Sequence, residues 1–205
     1  MPGTIFDVFV FDFDGTLVQS AEAKRKAFFD IFPAVCASAV EAVLSVKPDA
    51  SRYAVIPTIL AEIERRGLAA PGIDTAGLLE AYARTADTGV AAAPEMPGAG
   101  DVLERLSSVG SVYIVSMTPH EQLLSHLKQR GWMRYVAGAF GYPSRKVDAI
   151  ASLLVRHGIA PTRLLVSGDG ESDAEAAALN GCRFHKIRRP SDLAKVRDFA
   201  VGANV

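Results

Sequence analysis

One stretch near the amino terminus constrains the fold more than any other, and it reads F-V-F-D-F-D-G-T-L over residues 9–17. Its apolar half is short, rich in Val and Phe, and followed by two aspartates. This is typical of a buried parallel strand that stops at the carboxyl edge of its sheet. Side chains alternate along a strand, so Asp12 and Asp14 project from the same side into one crevice. Two adjacent carboxylates are costly unless a cation neutralises them or one is protonated. The pair therefore suits phosphoryl transfer, with a carboxylate nucleophile, a second carboxyl group as acid and base, and a hard metal ion between them.

The bulk composition excludes several classes of protein. The chain has 205 residues, of which 49% are hydrophobic and 22% charged, which is close to an average globular protein. A formal net charge of −1 argues against a nucleic-acid binder or a protein of the membrane surface. Cys36 and Cys182 are too few for a disulfide framework, and the Cys and His spacing does not suggest zinc. Because the sequence shows neither a signal-peptide pattern nor an apolar run of about 18 residues, we expect a cytoplasmic protein.

A change of hydrophobic period marks an insertion after Leu17. Apolar residues then recur three and four positions apart, and this helical pattern continues to about Pro94. The pattern predicts helices over residues 21–29, 37–44, 53–66 and 76–85. We therefore predict an all-helical domain over residues 18–94, inserted into an α/β core that is formed by residues 1–17 and 95–205.

Helical and strand patterns alternate from Pro97 onward. The predicted strands cover residues 112–115, 136–142, 164–166 and 184–187. Thr118 is predicted to cap one helix, with Pro119 as its first residue, and Ser172 is predicted to cap a later one. Alternating strands and helices predict a Rossmann-like, doubly wound parallel sheet, and such sheets bind ligands beyond the carboxyl ends of their strands.

Polar residues at these strand ends occur in a fixed order. In chain order they are Asp12 and Asp14, then Ser116, then Asp169 with Asp173. Lys146 lies between Ser116 and Asp169, just before a predicted helix. An Asp-x-Asp pair alone also occurs in ordinary loops. The complete string D-F-D-G-T-L after the first strand and G-D-x-x-x-D after a later one resemble the motifs of the haloacid dehalogenase-like (HAD) hydrolase superfamily, whose members are mostly phosphatases. The resemblance covers residues 1–17 and about 95–190. The helical insertion resembles the cap domain of the phosphoglycolate phosphatase and beta-phosphoglucomutase branch.

The resemblance implies the chemical roles of the acidic residues. It implies Asp12 as the nucleophile that forms an aspartyl-phosphate, and Asp14 as the group that protonates the leaving oxygen and later accepts a proton from water. It also implies Mg²⁺ as cofactor, held by Asp12, Asp169 and the backbone carbonyl of residue 14. The carboxylates of Asp14 and Asp173 are further candidates for the metal site.

The same resemblance implies residues that bind the transferring phosphoryl group. Ser116 and Lys146 are expected to bind its oxygens, and Thr16 is expected to contact the substrate as well. Thr118 competes with Ser116 for this role. We favour Ser116 because Thr118 is predicted to cap a helix.

Other assignments leave alternatives open. Arg145 and Lys128 are nearby alternatives to Lys146 as the cation of the site. Asp173 either orients Lys146 or a metal-bound water, or is an ordinary acidic residue in the first turn of a helix. Val147 stands where many relatives have proline, which leaves the subfamily open.

Asp14 and the insertion narrow the chemistry further. The dehalogenase and phosphonate-cleaving branches of the superfamily lack an aspartate at this position, and the second of them uses a cap lysine as a Schiff base. The comparable part of this chain offers Arg52, which cannot form that imine. Ser51 and Arg52 resemble a pair found in sugar phosphomutases. The Arg52 guanidinium suits a distal phosphate or carboxylate of the substrate, although a surface arginine is the plainer interpretation.

These patterns together predict a magnesium-dependent phosphatase that acts on a small phosphorylated metabolite. We expect a monomer or homodimer without nucleic-acid or membrane partners. A sugar phosphomutase with the same aspartyl-phosphate chemistry is one alternative. A catalytically inactive binding module is another, but it would be expected to lack Asp12, Asp14 or Asp169, and this chain has all three.

Overall fold

A computed structural model describes residues 5–46, 51–69 and 72–199. The chain divides into two compact units. The first combines the residues up to Gln19 with those from Pro94 onward, and the second is Ser20–Ala93. Each unit has a buried hydrophobic cluster of its own. That the second unit serves as a cap stays a prediction.

The first unit is built around a parallel sheet. Its strands are β1 (Val8–Phe11), β2 (Ser111–Pro119), β3 (Gly138–Tyr142), β4 (Leu164–Gly168) and β5 (Arg183–Lys186). Within the described residues, these five strands lie in the order β3-β2-β1-β4-β5, and all neighbouring pairs are parallel. The predicted α/β architecture with a parallel sheet is therefore confirmed.

Helices account for most of the remaining described residues. They are α1 (Ala21–Asp30), α2 (Ala37–Val46), α3 (Arg52–Arg65), α4 (Thr75–Ala92), α5 (Ala99–Ser107), α6 (His120–Gln129), α7 (Lys146–His157), α8 (Glu171–Leu179) and α9 (Pro190–Phe199). Helices α1–α4 belong to the second unit, and α5–α9 belong to the first. Helix α9 was not predicted, and α4 extends seven residues beyond its predicted end.

Strand β1 lies in the centre of the sheet, between β2 and β4, and all four of its residues are buried. Its last residue, Phe11, pairs with Ile114 of β2 and with Ser167 of β4. On one face of the sheet, Val8 and Val10 pack in a buried cluster that includes residues of α7 and α8. Because the strands run in parallel in this register, the segments that follow β1 and β4 emerge at the same edge as the end of β2.

Two predicted helix caps are wrong. Helix α6 begins at His120, and Thr118 belongs to the end of β2 instead of capping α6. Helix α8 begins at Glu171, before Ser172, and Gly170 occupies the N-cap position. The Asp173 carboxylate accepts a hydrogen bond from the Gly170 N–H at 3.2 Å, so an acid in the first turn satisfies the donor at this end of the helix.

Helices α1–α4 of the second unit pack around apolar residues of that unit. Phe28 of α1 and Tyr82 of α4 have ring centroids 4.3 Å apart, and Ile56 and Leu78 are fully buried in the same cluster.

No helix among the described residues is long and apolar enough by itself to span a membrane. Helix α1 and the helical segment Ala34–Val46 reach the length and apolar composition of a membrane span only when they are taken together, and this pair is bent by 117°.

Candidate active site

Asp12 is the first residue beyond β1, and the sheet fixes its position. Its N–H donates to the Ser167 carbonyl of β4 at 2.9 Å, which continues the hydrogen-bonded ladder past the end of the strand. The residue is only 7% exposed. Burial raises the pKa of the Asp12 carboxyl to about 6, and the Lys146 ammonium opposes this rise. The Asp173 and Asp14 carboxylates add to it. The fold therefore holds a carboxyl group where burial disfavours its charge.

Lys146 is the first residue of α7 and lies buried between two carboxylates. Its Nζ is 2.6 Å from Asp173 Oδ1 and 3.1 Å from Asp12 Oδ1. Burial alone would lower the pKa of Lys146, but Asp12 and Asp173 together raise that pKa above its ordinary value. The lysine is therefore cationic at neutral pH. The alternative cations, Arg145 and Lys128, are exposed.

An acidic trio, defined here as Asp12, Asp169 and Asp173, forms the candidate metal site. Each carboxylate offers one oxygen, and the three oxygens lie within 4.8 Å of one another. The Thr16 hydroxyl donates to Asp169 Oδ1 at 3.1 Å. Gly15 leaves the space that the Asp169 carboxylate occupies, since a Cβ on this residue would lie 2.2 Å from Asp169 Oδ2. This set of hard oxygen donors fits Mg²⁺.

Electrostatics support the same interpretation of the trio. Burial raises the pKa of Asp169, and the Asp12 carboxylate raises it further. Burial likewise raises the pKa of Asp173, while Lys146 opposes the rise. Three neighbouring acids with a single buried lysine carry excess negative charge, which a divalent cation would offset.

The Asp14 carboxylate lies outside the acidic trio and is hydrogen-bonded to β2. Thr118 Oγ1 donates to Asp14 Oδ2 at 2.6 Å, whereas Ser116 Oγ donates to the same oxygen at the longer distance of 3.4 Å. The Thr118 N–H in turn donates to Ser116 Oγ at 3.1 Å. The contact of Thr118 with Asp14 was not predicted. The available signal was spacing, because residues two apart in a strand face the same side.

Most of the predicted site residues come together at this edge of the sheet. Hydrogen bonds, ion pairs and charge interactions connect Asp12, Asp14, Thr16, Ser116, Lys146, Asp169 and Asp173. Thr16 is fully buried, and its hydroxyl donates a hydrogen bond to the Asp169 carboxylate. The catalytic, metal-binding and substrate-binding roles of these residues remain predictions.

Arg52 belongs to the second unit and lies at the start of α3. Its guanidinium carbon is 5.4 Å from the ring centroid of Tyr53 and 5.7 Å from that of Tyr82. The two aromatic rings restrict the guanidinium group, which is half-buried. A contact between Arg52 and the substrate stays a prediction.

Arg130 is a neighbour of the site that the sequence analysis missed. Its side chain is only 10% exposed, and it lies 3.9 Å from the Glu95 carboxylate and over the Trp132 ring. Burial lowers the pKa of Arg130, whereas the carboxylates of Glu95 and Asp14 raise it. A cation therefore acts on Asp14 from the end of α6. A basic residue at a helix C-terminus is ordinary, so no local pattern distinguishes it.

The fold and the strand-edge carboxylates define a class of enzyme. The family profile of haloacid dehalogenase-like hydrolases matches residues 6–181, and the chain belongs to this family. It is 29% identical over 202 residues to a phosphoglycolate phosphatase from Pseudomonas putida, a match that covers 88% of this chain and 68% of the relative.

Solved structures share the fold. YfnB from Bacillus subtilis, described as a candidate HAD-hydrolase bound to magnesium, superimposes with a TM-score of 0.69 at 16% identity, covering 94% of this chain and 99% of that one. A Thermotoga maritima protein described as a candidate beta-phosphoglucomutase gives a TM-score of 0.66 at 16% identity, covering 93% and 91%. The predicted family and the predicted hydrolase class are confirmed.

Proposed function

We propose that this protein is a magnesium-dependent phosphatase that hydrolyses a small phosphorylated metabolite through an aspartyl-phosphate on Asp12. One observation carries the proposal. The Asp12 carboxylate lies at the carboxyl edge of the central strand, in contact with a buried ammonium group and within a trio of acids that fits Mg²⁺. The curated relative from Pseudomonas putida, a phosphoglycolate phosphatase, supports the phosphatase class.

The proposed reaction uses the side chains of the site in two steps. Asp12 attacks the phosphorus atom, and Asp14 gives its proton to the leaving oxygen as the ester bond breaks. Asp14 then accepts a proton from a water molecule that attacks the same phosphorus, which releases phosphate and restores Asp12. With a pKa of about 6, Asp12 is mostly ionised at neutral pH and is therefore nucleophilic.

Cationic and neutral donors would stabilise the charge of the transferring group. Mg²⁺, when bound by Asp12, Asp169 and Asp173, would offset the repulsion between carboxylate and phosphoryl oxygens. Lys146 and Ser116 would donate hydrogen bonds to the equatorial oxygens, and losing one such preorganised donor typically costs about 3–4 kcal/mol of transition-state stabilisation.

The second unit would supply substrate selection. We propose that it acts as a cap and that Arg52, whose guanidinium lies near the rings of Tyr53 and Tyr82, binds an anionic group of the substrate remote from the reacting phosphate. Arg52→Lys would keep the charge but remove the planar fork, so it should raise KM for substrates with a second anionic group.

The test is phosphate release from a panel of phosphomonoesters, with and without Mg²⁺, by the wild type and by Asp12→Asn. We expect magnesium-dependent release, which Asp12→Asn lowers by roughly a thousandfold or more because the nucleophile is lost. Asp198→Asn makes the same change at an exposed residue of α9 and should keep full activity.

Other outcomes would replace the proposal. Interconversion of a sugar phosphate in the presence of a bisphosphate primer, without phosphate release, would identify a phosphomutase. Folded protein that is inactive in both assays would identify a binding module.

A further inference from the structure

We propose that Thr118 is a positioning residue that holds the Asp14 carboxyl group for proton transfer to the leaving group. The inference rests on the phosphatase function proposed above. The Thr118 hydroxyl donates to Asp14 Oδ2 at 2.6 Å, which is the length of a strong hydrogen bond to a carboxylate. Thr118 is only 6% exposed, so the bond is shielded from competing water.

The backbone of Thr118 is fixed on both sides. Its N–H donates to Ser116 Oγ, and its carbonyl lies against Gly141 of β3, where a Cβ would come within 2.6 Å of the Thr118 oxygen. A β-branched side chain on a strand also has few rotamers. The hydroxyl is therefore aimed by a rigid element, which is what accurate positioning requires.

The hydroxyl groups of Thr118 and Ser116 form hydrogen bonds of different length with Asp14. Ser116 Oγ is 3.4 Å from Asp14 Oδ2, at the limit of a hydrogen bond, so little is lost if Ser116 turns to a phosphoryl oxygen. The shorter bond from Thr118 would then continue to orient Asp14. This assigns the two hydroxyl groups of β2 to different parts of the reaction.

Proton transfer depends on this orientation. As the bond between Asp12 and phosphorus forms and the ester bond breaks, the proton of Asp14 must reach the leaving oxygen. Without Thr118, the Asp14 side chain gains rotational freedom, and the productive geometry is populated less often. The loss should be large for alkyl phosphates, whose alkoxide leaves poorly without a proton. It should be small for dinitrophenyl phosphate, whose phenolate leaves without one.

The experiment measures kcat/KM of the wild type, Thr118→Val and Thr118→Ser with Mg²⁺ on alkyl, phenyl and 2,4-dinitrophenyl phosphates. This constant reports only the steps up to loss of the leaving group. We expect Thr118→Val to lower the ratio of the alkyl to the dinitrophenyl constant by roughly 10- to 100-fold, the usual range for general acid catalysis. Thr118→Ser keeps the hydroxyl and should restore the ratio to within about threefold of the wild type.

Each ratio is taken within one variant, so it does not depend on the fraction of protein that is folded. An equal loss on all esters in Thr118→Val, or a Thr118→Ser variant as impaired as Thr118→Val, would overturn the role assigned to Thr118 and leave the proposed phosphatase function standing. A wild type that releases phosphate from none of the esters would overturn the proposed function as well.

Discussion

Asp12 shows how strongly the site works against the charge of its own residues. Burial raises the pKa of its carboxyl to about 6, although the Lys146 ammonium lies only 3.1 Å away. A carboxyl group that is costly to ionise in the folded state lowers the stability of the folded protein wherever it is charged. In the absence of metal, Asp12 should therefore destabilise the folded protein most at pH values where its carboxyl group is charged.

This cost has a definite dependence on pH. The pKa of Asp12 in the folded state lies above the ordinary value of 3.8. The contribution of Asp12 to the free energy of unfolding is therefore fully present below about pH 3.8 and is lost as pH rises through about 6. Fully ionising the carboxyl group corresponds to at most about 3 kcal/mol. In EDTA, Asp12→Asn should therefore raise the free energy of unfolding, and this increase should be about 2 kcal/mol larger at about pH 7.5 than at about pH 4.5.

Urea unfolding of the wild type and Asp12→Asn at the two pH values measures this change. Asp198→Asn, on an exposed side chain, is the matched control and should show a difference from the wild type that hardly varies with pH. A stability difference for Asp12→Asn that is equal at both pH values would contradict the assigned electrostatics.

Local patterns reveal some site residues and conceal others. Asp12 and Asp169 can be placed at the sheet edge from sequence because each directly follows a buried strand that begins with an apolar run. Thr118 cannot be interpreted in the same way, since Thr-Pro-x-Glu is also the pattern of a helix start. Its carboxylate partner is 104 residues away in the chain, and only the folded sheet brings the two together.

The turn after β1 brings the segment that follows Asp12 against Asp169, another member of the acidic trio. Gly15 has φ +80°, in the left-handed region, and its N–H donates to the Val18 carbonyl at 2.8 Å. The turn also brings Gly15 against the carboxylate of Asp169, which follows β4. Glycine is required here twice, once for the backbone conformation and once for the space.

A pair of substitutions separates these two requirements. Gly15→Ala and Gly98→Ala both place alanine at positive φ, where an L-residue is strained by roughly 1–2 kcal/mol. Only at Gly15 would the new methyl group overlap a carboxylate, because Gly98 has nothing within 4 Å of such a Cβ. Both variants should unfold at a lower temperature than the wild type.

The response to magnesium should differ between the two variants. We expect Mg²⁺ to raise the thermal midpoint of the wild type and of Gly98→Ala, because a ligand that binds the folded state stabilises it. Gly15→Ala displaces Asp169 and should bind Mg²⁺ at least roughly tenfold more weakly in a thermal-shift titration. Equal magnesium responses in the two variants would show that the Gly15 turn does not shape the metal site.

Secondary structure was predictable where periodicity was strong. Helix α7 runs from Lys146 to His157 and ends at Gly158, which has φ +59°, as its pattern indicated. The prediction ended α4 at residue 85, although the helix continues to Ala92 through alanines, which favour helix. Helix α9 begins at a proline and has few apolar residues, so its periodic signal is weak.

At the scale of the whole molecule, the insertion leaves the sheet intact. Val18 and Glu95 form an antiparallel bridge, and the Gln19 N–H donates to the Pro94 carbonyl at 2.9 Å. The chain thus leaves and rejoins the first unit at adjacent points, and each unit buries its own apolar cluster. The change of hydrophobic period revealed the insertion. The sequence pattern does not reveal which of its residues meet a substrate.

The most direct test of the central claim, that Asp12 is the nucleophile, is binding of beryllium fluoride followed by ¹⁹F NMR with and without Mg²⁺. Beryllium trifluoride bound to a carboxylate mimics an aspartyl-phosphate, so the measurement needs no knowledge of the substrate. We expect magnesium-dependent bound ¹⁹F signals in the wild type and in Asp198→Asn, and none in Asp12→Asn. Bound signals that persist in Asp12→Asn would contradict the account, as would their absence from a wild type that releases phosphate.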